Sequence, residues 1–302
     1  MELEREYLEL NAARIKLRNT YIILTLIIIG GIATVFILTQ QIFTIFIGIF
    51  VAIILTLIFT AKPEKDYSKK YKNYFVAKSL EQKFTDLSYN PEQGIGYDVI
   101  ANTNMMRMGD TYSSNDLISG KYKDTAFMQS DVHIEEEHES TDSDGNTTTY
   151  YVTIFKGRWM VFEFNKNFKA NLQVCQKGFG NNIKGGIFSK SKLQKIELES
   201  AEFNKRFNVY AEQPHEAFYI LTPKTMEKII NLDNRNNGKI LLCFVNNCLH
   251  VGIYDNKDAF EHPSVFKKID LEKEKQAISN DIEKITMFID ELELDNDLFK
   301  IN

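Results

Sequence analysis

Residues 21–61 read YIILTLIIIGGIATVFILTQQIFTIFIGIFVAIILTLIFTA, and no side chain in this stretch is charged. The block divides into two apolar runs, residues 21–38 and 42–61, joined by Thr39-Gln40-Gln41. Each run is about 20 residues, the length at which a helix crosses roughly 30 Å of hydrocarbon. The β-branched run Ile22, Ile23, Ile27, Ile28 and Ile29 favours a strand in water. In hydrocarbon the helix wins, because every amide must find its partner within the segment. A signal peptide fits poorly: the first run starts late and is long, and no small-residue cleavage site precedes the second. The stretch therefore reads as a transmembrane helical hairpin.

Its flanks set the expected topology. Arg5, Arg14, Lys16 and Arg18 precede the first run, and Lys62, Lys65, Lys69, Lys70, Lys72 and Lys78 follow the second. The turn carries no charge, so the positive-inside rule predicts both termini and the main domain in the cytoplasm. Lys62, Lys65, Lys69, Lys70 and Lys72 are the candidate membrane-surface residues, at about 1 kcal/mol for each charge well placed on anionic headgroups. Glu64 and Asp66 dilute that cluster, and setting topology is its simpler role. The three cysteines, Cys175, Cys243 and Cys248, are an odd number without a disulfide framework, in keeping with a reducing compartment. Gly30, Gly31 and Gly48 give no G-x-x-x-G, so no specific helix dimerisation is expected.

The block also distorts the averages. Across 302 residues there are 36 basic and 41 acidic side chains, and 44% of residues are hydrophobic. Mean hydropathy is nevertheless −0.27, so the chain outside the block is distinctly polar. With 22 Phe and 14 Tyr it still has ample core-forming surface, which excludes disorder throughout. The net charge of −5 argues against a general nucleic-acid binder.

Downstream, residues 67–87 carry Tyr71, Tyr74, Phe75, Leu80, Phe84 and Leu87 near a 3–4 spacing, an amphipathic helix that Asn90-Pro91 ends. From residue 97 to about 174 the period is two, which predicts strands. Asp142-Ser143-Asp144-Gly145-Asn146 reads as a hairpin tip, and Lys156-Gly157-Arg158 as a second tight connection. Residues 179–191, with Gly180, Gly185 and Gly186, have no periodicity and read as a mobile loop. A strand is expected over 193–199. Thr222 caps a helix that begins at Pro223 and buries Met226, Ile229 and Ile230. Residues 240–245 and 249–254 read as a hairpin around Asn246-Asn247. Residues 264–292 form a long helix with Leu271, Ile278, Ile282, Ile285, Phe288, Ile289 and Leu292 as its apolar stripe.

The expected organisation is a cytoplasmic N-terminal segment (1–20), the hairpin (21–61), a juxtamembrane amphipathic helix and linker (62–96), a β-rich subdomain (97–192), and an α+β subdomain with the C-terminal helix (193–302). The fold class is α+β: a transmembrane helical hairpin followed by a β-rich antiparallel domain and a long C-terminal amphipathic helix.

Few residues suggest chemistry. A two-residue turn at Asn246-Asn247 would place Cys243 opposite His250, with Cys248 on the same face. Two thiols and an imidazole suit zinc, but a closed site needs a fourth ligand and none is evident. Residues 140–145, in an acidic stretch holding His133 and His138, partly match a calcium loop. They lack the first acidic ligand, and Tyr151 stands where the bidentate Glu belongs. Gly94-Ile95-Gly96 is a turn rather than a phosphate cradle, and His215 and the lone thiol Cys175 have no catalytic partner in sequence. Glu163-Phe-Asn-Lys-Asn-Phe168 and Glu202-Phe-Asn-Lys-Arg-Phe207 agree at five of six positions. Their Phe164, Phe168, Phe203 and Phe207 are candidate partner anchors, with core packing as the plainer reading.

Several stretches resemble one family when taken together. They are Leu117-Ile-Ser-Gly-Lys-Tyr-Lys-Asp-Thr-Ala-Phe127, Ile154-Phe-Lys-Gly-Arg158 with Phe162-Glu-Phe-Asn-Lys-Asn-Phe168, Glu202-Phe-Asn-Lys-Arg-Phe-Asn-Val-Tyr210, and Glu216-Ala-Phe-Tyr-Ile-Leu-Thr-Pro223 with Met226-Glu227. In this order, behind a membrane hairpin, they resemble the bacterial family catalogued as domain of unknown function 3137. The resemblance implies no activity, cofactor or catalytic residue. It implies, by association only, a LemA-type membrane protein as a partner. The expected function is thus a membrane-anchored binding or scaffold protein, not an enzyme, with the lipid bilayer as its first partner. The alternatives are a metal-dependent enzyme using Cys243, Cys248 and His250, and a lipid-contacting module of pleckstrin-homology-like architecture.

Overall fold

The computed structural model describes residues 2–179 and 193–294, and within these it leaves out the side chains of residues 2 and 164–170. The loop expected over 179–191 lies outside the described residues, except for Phe179. That side chain is buried in the core. The chain divides into two compact units: Met1–Ser79 with Phe260–Ser279, and Leu80–Ala259 with Asn280–Asn302.

The first unit is built on two helices, α1 (Glu2–Thr39) and α2 (Phe43–Tyr71). Both are long and apolar enough to cross a membrane, and their apolar windows are almost wholly unburied by protein. Ile22, Ile27, Phe46, Phe50 and Leu57, for example, are all exposed. Burying such surface in lipid rather than water is worth about 25 cal/mol per Å², which is the physical ground for membrane association. The helices approach closely where Gly48 faces Ile32, since a Cβ on that glycine would lie 2.6 Å from Ile32 Cγ1. α1 begins far earlier than the apolar run, because Leu10, Ala13 and Leu17 supply a buried stripe that extends the helix. Arg14 Nη1 donates to the carbonyls of Val265 and Lys267 at 2.9 and 2.8 Å, tying α1 to the segment that follows Phe260. α2 runs on into a single π-helical stretch, Lys72–Ala77. Tyr71 hydrogen-bonds Glu274 at 2.7 Å and lies against Phe75, with ring centroids 5.0 Å apart.

The amphipathic helix expected over residues 67–87 is made by the end of α2, the π-helical stretch and α3 (Lys78–Lys83), and it stops four residues early. Residues 85–90 instead form β1 (Thr85–Asn90), paired with β2 (Thr111–Tyr122). Phe84 and Leu87 fit a helical spacing, but the free edge of β2 offers the backbone a ladder. A short helix α4 (Tyr97–Ala101) precedes β2.

One antiparallel sheet, of seven strands among the described residues, organises the second unit. The others are β3 (Thr125–Thr141), β4 (Thr147–Gln176), β5 (Gln194–Ile196), β6 (Phe207–Ala211) and β7 (Lys239–Tyr254). The order is β1-β2-β3-β4-β6-β5, with β7 along the other edge of β4. The sheet therefore draws strands from both 97–192 and 193–302. The hairpin tip at Asp142 forms as read: Asp142 Oδ1 accepts from the amides of Asp144 and Asn146, and Gly145 takes φ +84°.

Two expected turns are absent. Lys156-Gly157-Arg158 stays inside β4, with Gly157 at φ +152° and paired to both Val132 and Tyr254. Asn246-Asn247 stays inside β7, with Asn246 at φ +54°, and both halves of β7 pair with β4 on either side of a register shift. The glycine and the asparagines are turn residues that here absorb irregularities between long strands.

On one face of the sheet Trp159, Val161, Val132 and Leu241 pack with Ile95, Ile100, Met105 and Met106. The other face is covered by α8 (Leu271–Leu292), whose Phe288 stacks on Phe162 with ring centroids 6.4 Å apart. That helix starts later than residue 264, where Asp270 accepts from the amide of Lys273 at 3.2 Å as its cap. The remaining helices are α5 (Ala201–Arg206), α6 (Pro214–Ile220) and α7 (Pro223–Arg235), of which α7 meets α8 through Asn231 and Arg235 on Glu291. Thr222 caps α7 as expected, accepting from the amide of Thr225 at 3.2 Å.

Candidate functional site

Cys243, Cys248 and His250 lie along one continuous strand. Cys243 is opposite Gln173 and His250 opposite Val161. Seven residues of extended chain separate them by roughly 20 Å, so the expected facing of Cys243 and His250 is overturned by the missing turn. Burial holds the Cys243 thiol well above its ordinary pKa, and Sγ lies 3.3 Å from Asn171 Oδ1. Burial likewise pushes Cys175 up to about 12. His250 is 6% exposed and accepts a hydrogen bond at Nδ1 from Trp159 Nε1, 3.3 Å away. Burial lowers its pKa to about 4, so it is a neutral, structural imidazole. Among the described residues no group of three or more His, Cys, Asp or Glu is placed to hold a metal ion.

The aromatic anchors divide in two. Phe203 and Phe207 are fully buried, with centroids 4.8 Å apart, so they are core residues and present nothing to a partner. The side chains of Phe164 and Phe168 lie outside the described residues. The two copies of the motif also differ in structure, the first being strand and the second helix α5. Of the membrane-surface lysines, Lys62, Lys65 and Lys69 are exposed, and Lys70 pairs with Asp66 at 3.1 Å. Lys72 is 6% exposed and is corrected to a buried residue of the π-helical stretch.

Two features of the second unit were not found by sequence reasoning. The first is a buried polar centre between the sheet and α8. Asp131 is 1% exposed and pairs across the ladder with Arg158. Arg158 reaches into α8, donating to the Asp281 carbonyl at 2.7 Å and to its carboxylate. Asp131 Oδ2 accepts from the Ala259 amide at 2.5 Å, while among the described residues Oδ1 and both amide atoms of Gln129 have no hydrogen-bond partner. Burial raises the Asp131 pKa to about 7 against the opposing pull of Arg158. The available signal was phase: Gln129 and Asp131 share the inward alternation of Phe127.

The second is an open groove of about 780 Å³ among α5, α6 and α7. Leu198, Leu221, Met226 and Ile230 form its apolar floor, and Phe218, 49% exposed, stands at its side. Among the described residues Glu199, Glu202 and Glu227 are its charged lining, with no basic side chain. The sequence signal was faint, because the groove is assembled from three short helices whose apolar positions each look like ordinary core.

Residues 153–294 match the profile of a family described as Protein of unknown function (DUF3137). The match supports membership of this family over that segment. The DUF3137 segment opens inside β4 and closes just after α8, so it holds the whole groove together with β7. It leaves out α1, α2 and Asp131. No curated protein matches the chain. Among solved structures, the crystal structure of the mycobacterial trehalose monomycolate transport factor A, TtfA, is similar. Its TM-score is 0.40 and its identity 10%, covering 75% of this chain and 94% of that one.

Proposed function

We propose that this DUF3137 protein is a non-catalytic binding or scaffold protein of the bacterial cell membrane, anchored by α1 and α2, with both termini and the second unit in the cytoplasm. The observation that carries the reading is the groove, an open apolar floor beside an exposed aromatic, in a chain that also has two exposed apolar helices. Its supports are chemical. The thiols of Cys175 and Cys243 are buried and protonated, and His250 is held neutral by burial beside Trp159. These groups contribute to packing. The basic flanks of the helices favour the cytoplasmic side.

A photo-crosslinking side chain at position 218, in the full chain in native membranes, tests this. The expected outcome is a light-dependent adduct with one reproducible protein, absent when the same group stands at position 144 on the hairpin tip. Recovery of uncrosslinked chain alone, in repeated preparations, sinks the reading.

A further inference from the structure

We propose that the groove among α5, α6 and α7 receives a basic amphipathic helix of a partner protein. This deepens the binding reading above and rests on it. The floor is apolar, contributed by Leu198, Leu221, Met226 and Ile230. Among the described residues its charged lining has one sign, from Glu199, Glu202 and Glu227. Glu199 and Glu227 are exposed and take part in no ion pair among the described residues. Glu202 is engaged by Arg206 within α5 at 3.3 Å, with the carboxylate side chain 64% exposed, a contact that an incoming cation can displace. By contrast, Lys224 and Lys228 of α7 are held on Glu293 at 3.2 and 2.9 Å and do not line the groove. The acidic field in the groove is therefore left for another molecule to complement.

Shape and charge narrow the occupant. Three helices, rather than a free strand edge, form the walls, so the matching mode is helix-in-groove, with anchors repeating at i, i+3 or i+4, and i+7. Phe218 adds an aromatic surface of the kind that carries binding energy at interface centres. Acidic lining repels an anionic lipid surface and an acidic peptide alike, which leaves a helix with an apolar stripe flanked by Lys or Arg.

The test uses the full-length protein in neutral detergent and, as probe, a fluorescent synthetic helix of Leu and Lys, about 18 residues or five turns long. Anisotropy measures binding. The expected result is saturable binding that weakens as salt rises, and no binding by the same peptide with Glu replacing Lys. Glu199→Lys with Glu227→Lys, and separately Phe218→Ser, should each weaken affinity by roughly tenfold. All three positions are exposed, and the emission of Trp159 checks that the variants fold. Glu137→Lys with Glu139→Lys on the hairpin arm should leave affinity unchanged. Equal binding by the groove variants, equal loss in the arm variants, or no binding of the basic helix overturns the proposal. If the helix fails but crosslinking at position 218 still captures one acidic or neutral partner, this inference falls and the binding reading stands. If both fail, both fall.

Discussion

Asp131 is buried in the interior of a sheet, where among the described residues one of its oxygens is hydrogen-bonded and the other is not, and that burial has a thermodynamic consequence. Its folded pKa is about 7 against an ordinary 3.8, raised by burial and by the charges of Asp116 and Asp258, and lowered by Arg158 and the Ala259 amide. Between those values the folded state holds a proton that the unfolded state has lost. Stability must therefore fall as pH rises through this window, at a cost on the order of a few kcal/mol once the carboxylate is charged. The sole tryptophan, Trp159, is fully buried in the same sheet and reports the unfolding. Denaturation followed by its emission should give a lower midpoint at about pH 8 than at about pH 5. Asp131→Asn should remove most of that difference, and an unchanged slope would assign the effect to another group. None of this was legible in the sequence, where Asp131 opens an acidic run that looks like a solvated face. Gly157 gives a second prediction. A Cβ there would lie 2.0 Å from the Ile253 carbonyl oxygen at φ +152°. Gly157→Ala should destabilise by more than about 1 kcal/mol, and an unshifted midpoint in the same assay would refute it.

Elements were legible where a pattern repeats for many turns and ambiguous where one short residue group decides. The spans, the cap of α7 and the stripe of α8 all follow from long periodicity or a cap of definite chemistry. The errors share one cause. Gly157 and Asn246 have the backbone freedom of turns, but whether a strand reverses there depends on partners distant in sequence. Both lie where β4 and β7 pair over most of their length, so the chain runs straight and the freedom is spent on local distortion. That pairing also separates Cys243 from His250. The stripe of α8 allows a quantitative check. Phe288 is fully buried and stacks on Phe162, so Phe288→Ala should cost about 3–5 kcal/mol from lost transfer energy and a cavity. Urea denaturation read by Trp159 measures it. A cost below about 1 kcal/mol would mean that α8 does not hold this face of the sheet.

For the whole molecule, topology follows from the exposed basic charges that flank the two spans. Arg14 is buried and bound to the carbonyls of Val265 and Lys267, and Lys72 is buried, so both serve folding of the first unit. Removing them from the count leaves Arg5, Lys16 and Arg18 before the first span, and Lys62, Lys65 and Lys69 among the exposed residues after the second. The turn between the spans has no charge. The asymmetry survives the correction, which is why the proposed cytoplasmic placement does not depend on residues that have another role. Cysteine labelling in intact cells decides it. Cys175 and Cys243 are buried, so Cys248→Ala alone gives a nearly silent background. Gln40→Cys on that background should react with a membrane-impermeant maleimide added outside intact spheroplasts. Lys65→Cys should react only after the membrane is opened. The reverse pattern would place the groove outside the cytoplasm and remove cytoplasmic proteins from the partners it could meet. Labelling of neither position until detergent is added would show that the two helices do not span.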